Sequence, residues 1–175
     1  MTRLLISAGR FHARDGFTLI ELLITVALIG IISALAMPGL LRARSSANEA
    51  SAVQSLRTLV SAQTTFATTC GSSAYTTSLT TLVSEEYASP DLDITPKSGF
   101  QFQLVQGLNS TPMANDCTGQ PTRSGYYFSA EPLSGDTGRR GFATNEAGTI
   151  WQDTSGVAPA EPFTPGGTIA PLESQ

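Results

Sequence analysis

One stretch constrains this chain more than any other. From Phe17 to Leu41 about 25 residues pass with a single charge, Glu21. At about 1.5 Å of rise per residue, a helix of that length crosses a bilayer core about 30 Å thick. A carboxylate at such a depth is expensive, by roughly several kcal/mol, unless a partner neutralises it. A plain anchor would carry a leucine there, so Glu21 requires a partner. Arg3, Arg10 and Arg14 precede the run, and Arg42 and Arg44 follow it. Positive charge on the cytoplasmic side normally sets orientation. The three arginines in front place the N-terminus inside and the rest of the chain outside.

A short basic leader ending in Gly16, then Phe17-Thr18-Leu19-Ile20-Glu21 and an apolar helix, resembles the signal of type IV prepilins and type II secretion pseudopilins. The resemblance implies that a membrane prepilin peptidase cuts after Gly16 and that the new amino group of Phe17 is methylated. It also implies that Glu21, then the fifth residue, pairs with the charged first residue of a neighbouring subunit as a helical filament assembles. The physics agrees, because two charges that are each costly in lipid become tolerable when they neutralise one another. A competing cut exists at Ala34-Leu35-Ala36, which has the small-x-small pattern of an ordinary secretory signal. The apolar stretch before it is long for such a signal, and Glu21 interrupts it.

The organisation expected from this reading is a leader at 1–16 and a membrane or filament-core half-helix at 17–41. A head at 42–155 lies outside the cytoplasm and includes the second, amphipathic half of the helix. A Pro- and Gly-rich tail at 156–175 is expected to stay unpacked and disordered. Gly30 and Pro38 sit inside the apolar run. Proline removes a backbone donor and glycine weakens a helix, so the segment between them unwinds most easily. In the resembled family the helix stretches or melts between such positions.

Beyond the run, Val53, Leu56, Leu59, Val60, Phe66 and Ala67 recur at spacings of three and four, the stripe of an amphipathic helix. Glu49, Gln54, Arg57 and Ser61 fall elsewhere on the wheel. Gly71 is suited to a left-handed cap at the helix end. A short helix is expected over Ser78–Tyr87, with Glu85 and Glu86 on a solvated face.

Four strands follow. Phe100, Phe102 and Leu104 alternate with Gln101 and Gln103. Tyr126–Ala130 has aromatic β character. Residues 141–144 and 149–152 form a hairpin through Asn145-Glu146-Ala147-Gly148. The fold class is therefore α+β, a long N-terminal helix on a roughly four-stranded antiparallel sheet. This matches the type IV pilin fold, over the head in layout only.

Composition narrows the function. Ten Lys and Arg stand against fourteen Asp and Glu, and loss of the leader leaves seven and thirteen, about −6. No broad basic surface for nucleic acid is expected of the isolated subunit. The single histidine, His12, lies in the leader, so a processed chain has no His-based nucleophile or metal site. No P-loop, HExxH, CxxC or GxSxG pattern occurs. Neither catalysis nor a cofactor is expected. Asp136 and Asp153 lack the spacing of a calcium loop. Outside the cytoplasm the two cysteines, Cys70 and Cys117, form one bridge closing just under fifty residues. It contributes on the order of 4 kcal/mol. Arg139-Arg140 reads as a solvated turn.

By resemblance the chain is a type IV pilus subunit of the bacterial inner membrane and an extracellular or periplasmic filament. It would serve adhesion, twitching motility or DNA uptake. Two alternatives stand beside it: a pseudopilin of a type II secretion system, and a single-pass anchored binding domain that never polymerises.

Overall fold

The structure is a computed structural model describing residues 16–172. The expected leader lies outside the described residues, apart from Gly16. Helix α1 runs Leu19–Thr69, α2 Leu79–Ser84, and a single 3-10 turn Pro90–Leu92. Five strands follow: β1 (Phe100–Gln106), β2 (Tyr126–Pro132), β3 (Gly141–Asn145), β4 (Trp151–Asp153) and β5 (Ile169–Pro171). The chain divides after Gly39 into two units.

In the N-terminal unit, helix is continuous through Gly30 and Pro38. The large apolar side chains from Phe17 to Met37 are all at least half exposed, from 51% at Ile24 to 87% at Phe17. An uninterrupted apolar surface of that extent is foreign to a soluble monomer and needs lipid or protein to cover it. The helix is long and apolar enough to cross a membrane.

The second unit, from Leu40, holds the head. Its five strands form an antiparallel meander in the order β1-β2-β3-β4-β5. Leu104 lies opposite Phe128, Ala130 opposite both Phe102 and Phe142, and Ala143 opposite Trp151. Period-two alternation turns Phe100, Phe102 and Leu104 inward with Phe128, Ala130 and Phe142. Against them pack Ala52, Leu56, Leu59, Ala62 and Phe66 of α1. The α+β architecture is thus the expected one, with one strand more.

That strand corrects the expectation of a disordered tail. β5 pairs with β4, Ile169 opposite Asp153, and Ala158 and Pro159 are buried. Segment 157–163 lies along β2 through side chains. The Tyr127 hydroxyl donates to the Pro159 carbonyl at 2.9 Å, and the Ala158 N–H to Glu131 at 3.0 Å. Phe163 stacks on Trp151 with ring centroids 5.5 Å apart. Prolines remove donors but leave carbonyls and apolar surface, and here both find partners. Gly141 lets the strap pass, since a Cβ there would collide with the backbone of Val157.

Two local expectations also change. Gly71 is not the left-handed residue at the end of α1; Ser72 (φ 50°) and Ser73 (φ 68°) take that region. A Cβ on Gly71 would meet the Ala74 carbonyl and, at 2.8 Å, the ring of Phe66. Glycine is needed there for close approach. The short helix α2 is capped by Ser78, whose hydroxyl accepts from the Thr81 N–H at 3.2 Å. It stops at Ser84, before Glu86 turns to φ 61°.

Candidate assembly site

The start of α1 is built from Thr18 and Glu21. The Thr18 hydroxyl accepts from the Glu21 N–H at 3.2 Å. Glu21 Oε2 in return accepts from the Thr18 N–H at 3.0 Å and from its hydroxyl at 2.8 Å. This is a reciprocal capping box, in which a Thr and a Glu three residues on satisfy each other's orphan donors. The Thr-x-x-Glu spacing is the sequence signal of this cap. Glu21 Oε1 makes no hydrogen bond among the described residues, so one oxygen remains for another partner. Gly16 and Phe17 precede the helix, and both are exposed.

Cys70 and Cys117 are disulfide-bonded, with Cα atoms 4.9 Å apart. Around the bridge, the Cys117 N–H donates to the Cys70 carbonyl at 3.0 Å, and Tyr75 and Arg123 exchange both backbone bonds. Asp116 organises the loop: its Oδ1 accepts from the Gln120 N–H at 2.7 Å and from Thr118 N–H and hydroxyl at 2.9 and 2.8 Å. Burial disfavours its charge and is the largest single influence. The donors of Gln120, Thr118 and Gly119 together outweigh it and hold its carboxyl below the usual range.

The head holds what the sequence reading missed. Glu49, placed off the apolar stripe, is buried at 6% exposure. Its Oε1 accepts from the Arg139 and Arg140 N–H groups at 2.8 and 3.3 Å, and its Oε2 from Arg140 Nε at 2.9 Å and Nη2 at 2.7 Å. Arg140 also reaches Gln152 at 2.8 Å and lies 5.5 Å from the centroid of Phe142. Of the expected solvated turn Arg139-Arg140, Arg139 is exposed, while Arg140 is instead the ligand of a buried acid. Gln63, also buried, bonds the Thr76 backbone with both ends of its amide, at 2.7 and 3.3 Å. Asp153 is occupied by the Ser155 N–H, which with Thr168 and against slight burial holds its carboxyl low. Asp136 stands exposed in the β2–β3 loop.

Residues 12–37 match the family described as Prokaryotic N-terminal methylation motif. The N-terminal segment therefore carries this methylation motif and is similar to the corresponding segment of a type IV pilin. The Type IV major pilin protein PilA of Myxococcus xanthus (strain DK1622) is 43% identical over 59 residues, 33% of this chain and 27% of that protein. The similarity thus spans about a quarter of the relative's length. No solved structure matches the chain significantly. The motif covers Gly16, Phe17, Glu21 and Gly30, while the head rests on its own architecture, a helix on an antiparallel sheet.

Proposed function

We propose that the protein is a structural subunit of a type IV pilus. It is cut after Gly16 by a prepilin peptidase, methylated on Phe17, and stored in the inner membrane with its head outside the cytoplasm. The subunit then joins a helical filament through residues 17–41. One observation carries the reading: the methylation motif runs into a helix whose large apolar side chains from Leu19 to Met37 are all at least half exposed. Burying that surface between subunits drives growth. The free oxygen of Glu21 takes the methylated amino group of a neighbour and sets axial register. Gly30 and Pro38 are the positions at which the helix yields in the filament. Adhesion, twitching motility or DNA uptake belong to the filament, and no reaction or cofactor is assigned to the subunit.

The named similarity to a major pilin favours the pilus over a type II secretion pseudopilus. The test is the N-terminus and intact mass of protein recovered from membranes and sheared filaments. N-methylated Phe17 is expected. A chain beginning at Met1 would leave an anchored domain, and one beginning at Met37 a secreted protein; either overturns the reading.

A further inference from the structure

A groove of about 480 Å³ opens in the head, lined by Leu41, Arg42, Arg139 and Asp136 around the Glu49–Arg140 pair. The charge of Glu49 is spent, since two backbone N–H groups and the Arg140 guanidinium already saturate it. Three charges remain: Arg42, Arg139 and Asp136 are exposed, and none makes an ion pair among the described residues. Two cations and one anion thus share one concave site. Leu41, the last residue of the apolar run, forms part of its wall beside Arg42.

We infer that this groove binds the zwitterionic phosphoethanolamine headgroup of a membrane lipid, with Arg42 and Arg139 on the phosphate and Asp136 facing the ammonium. Arginine is suited to phosphate by its planar fork of donors. A purely anionic headgroup would leave Asp136 repelled, and a purely cationic ligand would leave both arginines so. The inference rests on the membrane-anchored reading above, because only then does the end of the apolar run mark the headgroup layer. The groove would hold the subunit at fixed depth before assembly and release the lipid on extraction into the filament.

The test is the full chain in nanodiscs of equal parts phosphatidylethanolamine and phosphatidylglycerol, released for native mass spectrometry of retained lipid. The wild type is expected to keep phosphatidylethanolamine preferentially. Joint Arg42→Gln and Arg139→Gln substitution should lower retention of both lipids by about tenfold, the scale of lost charge-assisted bonds. Asp136→Asn should retain lipid and lose the preference, while Arg57→Gln, outside the groove, should change nothing. Equal retention by wild type and double variant overturns the inference, as does a wild type without preference. Displacement of the lipid by equimolar inorganic phosphate would assign the site to free phosphate and overturn the lipid source. Altered self-association with unchanged lipid would make the groove a contact between copies, again overturning it. A chain that fails to enter the nanodisc would overturn the membrane reading itself, which separates the two failures.

Discussion

Arg140 clasps Glu49 across 91 residues of sequence, with Nε and Nη2 at 2.9 and 2.7 Å from one carboxylate oxygen. The pair ties the helix to the start of β3 within the head. Removing one partner of a buried pair is far more damaging than the pair is stabilising, since the other charge is left without compensation. Arg140→Ala should therefore destabilise the head by about 2–3 kcal/mol, below the upper range because the Arg140 side chain is 39% exposed. Glu49→Gln should cost less, as the amide oxygen still accepts from the backbone. Thermal unfolding of the full chain in detergent checks both, and an Arg140→Ala protein as stable as wild type would refute the assigned role.

The strap over β2 makes a second case. Glu161 accepts from the Leu108 N–H at 2.6 Å and from the Asn145 side chain at 2.7 Å, so one carboxylate joins the ends of β1 and β3. Phe163→Ala, which removes the stack on Trp151, should raise the emission wavelength of the single tryptophan and speed proteolysis within 157–168. The loss should be about 1–2 kcal/mol, modest for an aromatic because Phe163 is only half-buried. Unchanged fluorescence and protease resistance would restore the expectation of an unpacked tail.

These two features show what the sequence could and could not disclose. The N-terminal apolar helix and its motif were legible because membrane physics and a fixed pattern leave few alternatives for such a run. β1 was legible because Phe100, Phe102 and Leu104 alternate with glutamines. The buried face of α1 was read only in part. It centres on Ser45, Glu49, Ala52, Ser55 and Gln63 beside the leucines, and small or polar residues carry no hydrophobic signal. Glu49 and Gln63 are buried because partners distant in sequence, Arg140 and Thr76, satisfy them. Composition hid β5 for a similar reason: prolines signal disorder locally, while the Tyr127 hydroxyl and the Glu131 and Glu161 carboxylates that fix the segment lie elsewhere.

Stability should fall at both ends of the pH scale, for opposite reasons. The carboxyls of Asp116 and Asp153 are held below their ordinary value of 3.8. Their folded forms bind protons less readily than the unfolded chain, so their contribution is present above about pH 4 and lost as pH falls through the lowered values. At the alkaline end, burial is the main cause that pushes the Tyr126 hydroxyl well above its ordinary range and Tyr127 to about 12. Their neutral forms stabilise the fold below about pH 10, and that contribution is lost as pH rises toward the folded values. Unfolding midpoints across pH 2–12, with tyrosinate absorbance followed at the alkaline end, should show both flanks. Ionisation of all four tyrosines at about pH 10 in the folded protein would contradict the burial of this pair.

The capping box at Thr18 and Glu21 lets the observed cap be separated from the assembly role proposed for the same side chain. Glutamine still serves a capping box, because its amide oxygen accepts from Thr18, but it carries no charge. Glu21→Gln should therefore leave the first turn of α1 and the processing after Gly16 intact, yet weaken filament assembly as severely as Glu21→Ala. Thr18→Ala should do the reverse, fraying the first turn by about 1 kcal/mol while the charge proposed to meet a neighbour's amino group remains. Counting sheared filaments per cell, with the N-terminal mass of each variant as a control for processing, distinguishes the two roles. Normal filaments from Glu21→Gln would show that Glu21 acts as a cap alone. Filaments lost in Thr18→Ala and retained in Glu21→Gln would place the requirement on helix order.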